Sequence, residues 1–458
     1  MKYIIIISLF SLIFFSTSCK KYVEIPAPTN QLITDLVFAD DKTATATVAG
    51  LYSRLNAFNS SFANYNGSFL PAFSADEFHY SLNSANLDEF KDNKIISSNS
   101  SVNGLWEPVY SYIFHANSII EGLQSNTGVT EAVNKQLTGE AKFLRAFFYF
   151  YLVNYFGDVP LVLNTDYKTN TTLPKSLKEQ VYAAMITDLT DAQLLLGPNY
   201  PTTERTRANN MAATALLARV YLYTGQWSKA DLEATKVIND SRYGLLTDLN
   251  TVFLKNSNET IWQLQTVNTS TAGVNTWEGF SIVPTSPTAT VLYKFYPNFM
   301  SAFELNDKRK TAWTKSFTNT SGTIFYPLKY KVRTGTPVTE YSMVIRFAEL
   351  FLIRAEARAQ QDKPNLAKAD LTEIRNRAGL LPLPLLMSKP QILLAVEQER
   401  KLELFGEWGH RWFDLKRTNR AMDVLTPIKT GLAITDLLYP LPLAAINTNP
   451  NLVQNLGY

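Results

Sequence analysis

The chain has 458 residues with 46% hydrophobic and 18% charged content, the make-up of a globular protein rather than a disordered one. Lys+Arg is 43 against 40 Asp+Glu, a net charge of +3, and no basic block stands out. This excludes a general electrostatic binder of nucleic acid. One cysteine and three histidines (His79, His115 and His410) leave too few soft ligands for a zinc or iron–sulfur site, so no cofactor or metal is expected.

The chain opens with Met1-Lys2 and a strongly apolar run from Tyr3 to Phe15, followed by Ser16-Thr17-Ser18-Cys19. The run is too short to span a bilayer and ends in small residues, the pattern of a secretory signal. The sole cysteine, Cys19, falls at that boundary. Residues 1–18 are therefore read as a lipoprotein signal peptide, with Cys19 acylated as the first mature residue and the protein held to a membrane by lipid. Residues 19–39, with Pro26 and Pro28, read as a tether to a single folded domain that completes 19–458.

The body reads as mainly helical. Ala44, Val48, Leu51 and Leu55 set a first helix within 40–58; Val109, Tyr112, Ala116, Ile119 and Leu123 set another within 105–123. The strongest signal is Leu137, Ala141, Leu144, Phe148, Tyr151 and Tyr155, with Phe143, Phe147 and Phe150 on the opposite side. A helix apolar all round is buried between neighbours, and Gly157 and Pro160 stop it. Ala208, Ala212, Ala215 and Ala218 form a small-residue seam, and Gly225-Gln226-Trp227 turns into a second helix. That pairing is like a tetratricopeptide hairpin, and Ala355, Ala357, Ala367 and Ala369 around Pro364 suggest a second one. Two long stretches, about 59–101 and 256–344, lose the helical period and read as loop insertions with a few short strands. Long loop-rich stretches inside a domain are often functional.

Fifteen aromatic residues lie from Trp262 to Phe347, both included, and two segments combine rings with polar side chains. One runs from Asn64-Tyr65-Asn66 to Asp76-Glu77-Phe78-His79-Tyr80, the other from Trp277-Glu278-Gly279-Phe280-Ser281 to Tyr293 and Tyr296. Flat rings cover the C–H face of a sugar while Asn, Asp, Arg or Gln pair with its hydroxyls. Trp277 is the first candidate for such a platform, with Tyr80, Asp76, His79 and Tyr296 beside it. Trp106 and Trp262 read as core. The stretch Glu397 to Asp414 holds Glu397, Glu399, Glu403, Glu407 and Asp414 among Arg400, Arg411 and His410. These could form an acid–base pair for glycoside hydrolysis or an ion-paired fastening; the second reading is preferred, and no catalytic residue is assigned. Hydrolase elbows, HExxH and phosphate loops are absent from the sequence.

Six stretches, in family order, resemble the SusD/RagB family of outer-membrane nutrient-binding lipoproteins: CKKYVEIPAPTNQL; GEAKFLRAFFYFYLVNYFGDVPLV at 139–162; RANNMAATALLARVYLYTGQWSKA at 207–230; RFAELFLIRAEA at 346–357; ERKLELFGEWGHRWFDLKR at 399–417; and the ending NPNLVQNLGY. The resemblance implies a tetratricopeptide-like scaffold with loops building a ligand site and no enzymatic activity. It also implies a TonB-dependent transporter of the SusC type as partner, an oligosaccharide (in some members a peptide or other nutrient) as ligand, and an outer-membrane location facing the exterior. Lys20 and Lys21 stand where surface-exported lipoproteins of these bacteria often carry acidic residues. A helical glycosidase and a protein-only helical adaptor are the readings from other classes.

Overall fold

Residues 37–57, 62–125, 127–267, 271–320 and 322–458 are described by the computed structural model. The apolar run, Cys19 and nearly all of the tether lie outside them. The chain is mostly helical, as its periodicity predicts. Helix α1 (Asp41–Leu55) starts where the Asp40 carboxylate accepts from the Thr43 amide at 2.8 Å. A π-helical turn (Phe62–Asn66) runs into α2 (Gly67–Ser74), then β1 (Phe78–Tyr80) and α3 (Ala85–Asp92). The stretch expected to be a loop thus contains short elements too brief to show a period.

The scaffold proper is a stack. Helices α4 (Ser100–Ser125), α5 (Glu131–Phe156), α6 (Lys178–Leu195), α7 (Asn210–Tyr223) and α8 (Trp227–Ile238) each pack on the one before. The chain then leaves the stack and returns with α10 (Phe347–Gln360), which packs directly on α8 and is followed by α11 (Pro364–Ala378) and α12 (Lys389–Leu404). The intervening residues are therefore an excursion from a continuous helical array. They contain β2 (Thr260–Leu264), the six-residue α9 (Trp277–Ile282), β3 (Tyr293–Phe295), the hairpin strands β4 (Thr314–Asn319) and β5 (Gly322–Pro327), and β6 (Ser342–Arg346). Three two-stranded antiparallel pairs result: β1 with β3, β2 with β6, and β4 with β5.

The alanine seam works as its spacing implies: Ala208, Ala212, Ala215 and Ala218 are all buried. Gly225 makes the α7–α8 turn at φ +68°, a backbone region that disfavours side chains, with Trp227 packed against it. Helix α5 is the centre of the core, buried almost without break from Leu137 to Phe156. Its Phe143 and Phe147 rings meet Trp262 edge-on at 4.8 Å each. Trp106 and Trp262 are indeed core.

Charge also goes inside, at the joints of the stack. Arg145 of α5 grips Asp188 of α6 with two bonds of 2.7 Å. Arg219 of α7 grips Glu349 of α10 at 2.7 and 2.6 Å. Arg354 of α10 grips Asp370 of α11 at 2.6 Å. A planar guanidinium matches a carboxylate in one geometry, so each joint acquires a fixed register.

Candidate functional site

The two aromatic segments singled out in the sequence meet in space. β1 and β3 pair antiparallel with Phe78 opposite Phe295, His79 opposite Lys294 and Tyr80 opposite Tyr293. Next to the strands, Ser81 extends the register by bonding Leu292 through its amide at 2.8 Å. α9 in turn rests on the π-helical turn. That turn is held by Phe62, whose ring inserts among Phe147 and Tyr151 of α5 and Trp408 at 5.2–6.1 Å. The Trp408 indole N–H donates to the Met343 carbonyl at 2.7 Å and fixes that wall. The loops are thus seated on the scaffold core.

Under β1 and β3 lies a bed of buried rings: Phe69, Phe73, Phe78 and Tyr293. Tyr65 and Tyr80, both half-buried, pack onto this bed, Tyr65 against Phe69 at 5.2 Å and Tyr80 against Tyr293 at 5.5 Å. Burial and the neighbouring Tyr80 push the Tyr65 phenol up, and burial does the same to Tyr293. These groups therefore remain hydroxyls, able both to donate and to accept. On α9, Thr276 caps the helix by accepting from the Gly279 amide at 2.9 Å. Gly279 lies so close to the chain that an added Cβ would sit 2.6 Å from the Val332 carbonyl oxygen. The same loop supplies Arg333, whose guanidinium lies 4.2 Å from the centre of the half-buried Phe280 ring and donates to the Val283 carbonyl at 3.1 Å.

The individual candidates fare differently. Trp277 is only 2% exposed, and its indole N–H donates to the Asn56 carbonyl at 3.1 Å. Its face is turned inward and meets Phe280 edge-on at 5.9 Å, so the ring offers no open platform and instead supports Phe280. Asp76 is buried and held by Arg411 (2.7 and 3.1 Å) and Lys401 (2.7 Å). Burial alone would raise its carboxyl; the two cations outweigh it and hold the group well below the usual carboxylate range. The Tyr296 hydroxyl donates toward the Phe73 and Lys91 carbonyls at 3.1 and 3.2 Å, beside the Lys429 ammonium at 3.3 Å. His79 stacks obliquely on Tyr296 at 4.9 Å and bonds the Tyr80 carbonyl through Nδ1 at 2.7 Å. Burial lowers its pKa, leaving a neutral ring. His79 and Tyr80 are half-buried at the rim of the paired strands. Tyr65, Phe280 and Arg333 were not singled out individually. Tyr65 and Phe280 lie within the quoted segments, whereas nothing near Arg333 in sequence signals its ring partner.

The acidic stretch is spent on the scaffold. Glu399 pairs with Arg309 at 2.8 Å, and Glu403 and Glu407 share Arg346 at 2.6 and 2.7 Å. Asp414 pairs with Arg400 at 2.6 Å and Glu397 with Arg411 at 3.1 Å. All five carboxylates are thus neutralised by arginine. A separate cleft of about 1300 Å³ lies among the C-terminal end of α5, α6 and the last segments of the chain, lined among others by Lys175, Tyr182, Lys416 and Asn455. It contains none of the residues named for the loop site. Among the described residues, no group of three or more His, Cys, Asp or Glu could hold a metal ion.

A stacked helical array thus carries, on paired loop strands, a bed of aromatic rings with two half-buried tyrosines packed on it. One family model, described as starch-binding and associating with the outer membrane, matches residues 33–222, and a second, the SusD family, matches 288–458. The chain belongs to the SusD/RagB family. A SusD-like protein of Formosa agariphila is 24% identical over 450 residues, with 83% of each chain covered. A SusD superfamily protein of Bacteroides vulgatus superposes with a TM-score of 0.82 at 21% identity, over 92% of this chain and 100% of that one. A laminarin-binding SusD-like protein superposes with a TM-score of 0.76 at 25% identity, over 91% and 99%.

Proposed function

We propose that this protein is a lipid-anchored, non-enzymatic nutrient-binding protein of the outer membrane. It captures an oligosaccharide and passes it to a TonB-dependent SusC-like transporter. The observation that carries the reading is the β1–β3 pairing, which brings Tyr65, Tyr80 and Tyr293 from three segments onto one aromatic bed. Tyr65, Tyr80 and the Phe280–Arg333 pair cover sugar faces, while the tyrosine hydroxyls and the guanidinium pair with sugar hydroxyls; His79 faces the other side of β1, against Tyr296. The naming of a relative as laminarin-binding and the family's description as starch-binding support a glycan as the ligand class. Cys19 supplies the anchor and the membrane face is the exterior one.

The reading is tested by isothermal titration of the chain with Cys19→Ser against laminarin and starch oligosaccharides, algal and host glycans, and peptides, beside Tyr80→Ala and Phe280→Ala. Saturable glycan binding, weakened in both variants, with the glycan recovered intact, is expected. Binding that both variants retain removes the site; cleaved glycan overturns the non-enzymatic reading; peptide binding alone changes the ligand class.

A further inference from the structure

The segment between α11 and α12 reads Leu380-Leu381-Pro382-Leu383-Pro384-Leu385-Leu386-Met387. Such a run is expected to be buried, yet Leu381 is 82% exposed, Leu385 88% and Leu386 93%. Leu305, 88% exposed, lies beside it, because one guanidinium ties the two places together. Arg375 donates to the Leu381 carbonyl at 2.8 Å and to the Glu304 carboxylate at 2.6 and 3.0 Å. These four side chains offer on the order of 400 Å² of apolar surface, the size at which a patch ceases to be incidental. Pro382 and Pro384 hold the loop extended and remove two amide donors from its tip.

The surroundings of the patch are basic. Lys368 of α11 donates to the Leu385 carbonyl, and the Lys308 stem packs against Gly379 at the root of the loop. Lys310 is exposed one position beyond the buried Arg309. None of Lys308, Lys310 and Lys368 has a carboxylate partner among the ion pairs of the described residues; of the acids flanking the loop, Glu304 is spent on Arg375, and Glu373 of α11, exposed and outside those ion pairs, is outnumbered by the three lysines. Leucines standing in water beside an excess of unpaired lysines have the chemistry of an interfacial contact, in which apolar tips enter the acyl boundary while ammonium groups meet phosphate.

We propose that the 380–387 loop, with Leu305, docks on an anionic lipid surface, giving the folded body a second membrane contact independent of Cys19. Such a contact would set the orientation of the body, which one acyl-bearing cysteine on a tether does not.

The test uses the full chain with Cys19→Ser and Leu386→Cys, labelled at position 386 with an environment-sensitive fluorophore. Because the label reads the loop alone, recruitment through the N-terminal apolar run does not mimic the signal. With vesicles of phosphatidylcholine and phosphatidylglycerol, a blue shift and quenching by lipid-borne quenchers are expected. The apparent partition coefficient should exceed that for pure phosphatidylcholine by about tenfold or more, and K308E/K310E/K368E should abolish the difference. Protein that sediments with anionic vesicles while its label stays in water overturns the proposal. So does a shift that grows with protein concentration without lipid, which assigns the patch to a second copy. A shift with native outer-membrane vesicles but none with pure lipid assigns it to a protein and overturns the proposal equally.

Discussion

The acidic stretch of the scaffold and the loop layer above it use the same residue types to opposite ends. In the scaffold, Arg346 is buried with Glu259, Glu403 and Glu407 around it at 2.6–3.3 Å, and Lys329 joins Glu407 at 2.5 Å. In the loop layer, Arg333 lies half-buried over Phe280 with carbonyls as its hydrogen-bond partners. Tyrosines show the same contrast: Tyr151 and Tyr155 are sealed inside α5, whereas Tyr65 and Tyr80 keep part of their surface in water. An ionic or aromatic residue thus tells nothing of its role until its partners are known. Where the geometry is closed it fixes register; where one face stays open it can be used on a ligand.

The contrast can be broken at its strongest point first. Arg346→Ala leaves three buried carboxylates without their shared cation and should cost about 4 kcal/mol in denaturant unfolding; a loss under about 1 kcal/mol would mean that the network is dispensable. Trp277→Ala comes next. It removes a buried indole and its bond to Asn56, so the expected result is a stability loss of about 3 kcal/mol, with glycan binding affected only through Phe280. Lost binding at unchanged stability would return Trp277 to the ligand.

Glu278→Gln is subtler. Burial, ahead of every other cause, pushes the Glu278 carboxyl up to about 7, and one of its oxygens lacks a partner among the described residues. A carboxyl whose folded pKa is raised costs stability once pH exceeds its unfolded value, with the full cost reached above the folded one. The variant should therefore match the parent near pH 4 and exceed it by about 3 kcal/mol above pH 8. Urea melts at the two pH values read this directly, and a pH-independent difference would contradict it. The smallest stability effects belong to the rim: Tyr80→Ala and Phe280→Ala should cost about 1 kcal/mol each, yet weaken glycan affinity by about tenfold.

Much of the scaffold was legible in the sequence. The 4–3–4 spacing located α1 and the ends of α4 and α5 to within a few residues but missed the first turn or more of α4 and α5, and the alanine seams located the α7–α8 and α10–α11 hairpins, because helices and small-residue contacts are written in local spacing. α6 went unread although Val181, Met185, Leu189 and Ala192 carry its buried face. The site was legible only as two segments. Their pairing rests on three-residue strands about 200 positions apart, too short to alternate visibly. Trp277 looked open because it lies in a polar loop; its partner, Asn56, is 221 residues away and no local pattern betrays it. The carboxylates of 397–414 read as an ion-paired fastening already in the sequence, but two of the partners, Arg309 and Arg346, lie too far away in sequence to be read there.

The β1–β3 pairing carries one last consequence, for the order in which the chain folds. Most helices of the stack join neighbours near in sequence, contacts that form early and cheaply, and the α8–α10 contact spans about 100 residues, whereas joining Tyr80 to Tyr293 closes a loop of about 200 residues. The aromatic bed is therefore assembled last, on a stack already in place. In refolding from denaturant, helical circular dichroism should recover before glycan affinity, and the interval between them times the closing of that loop.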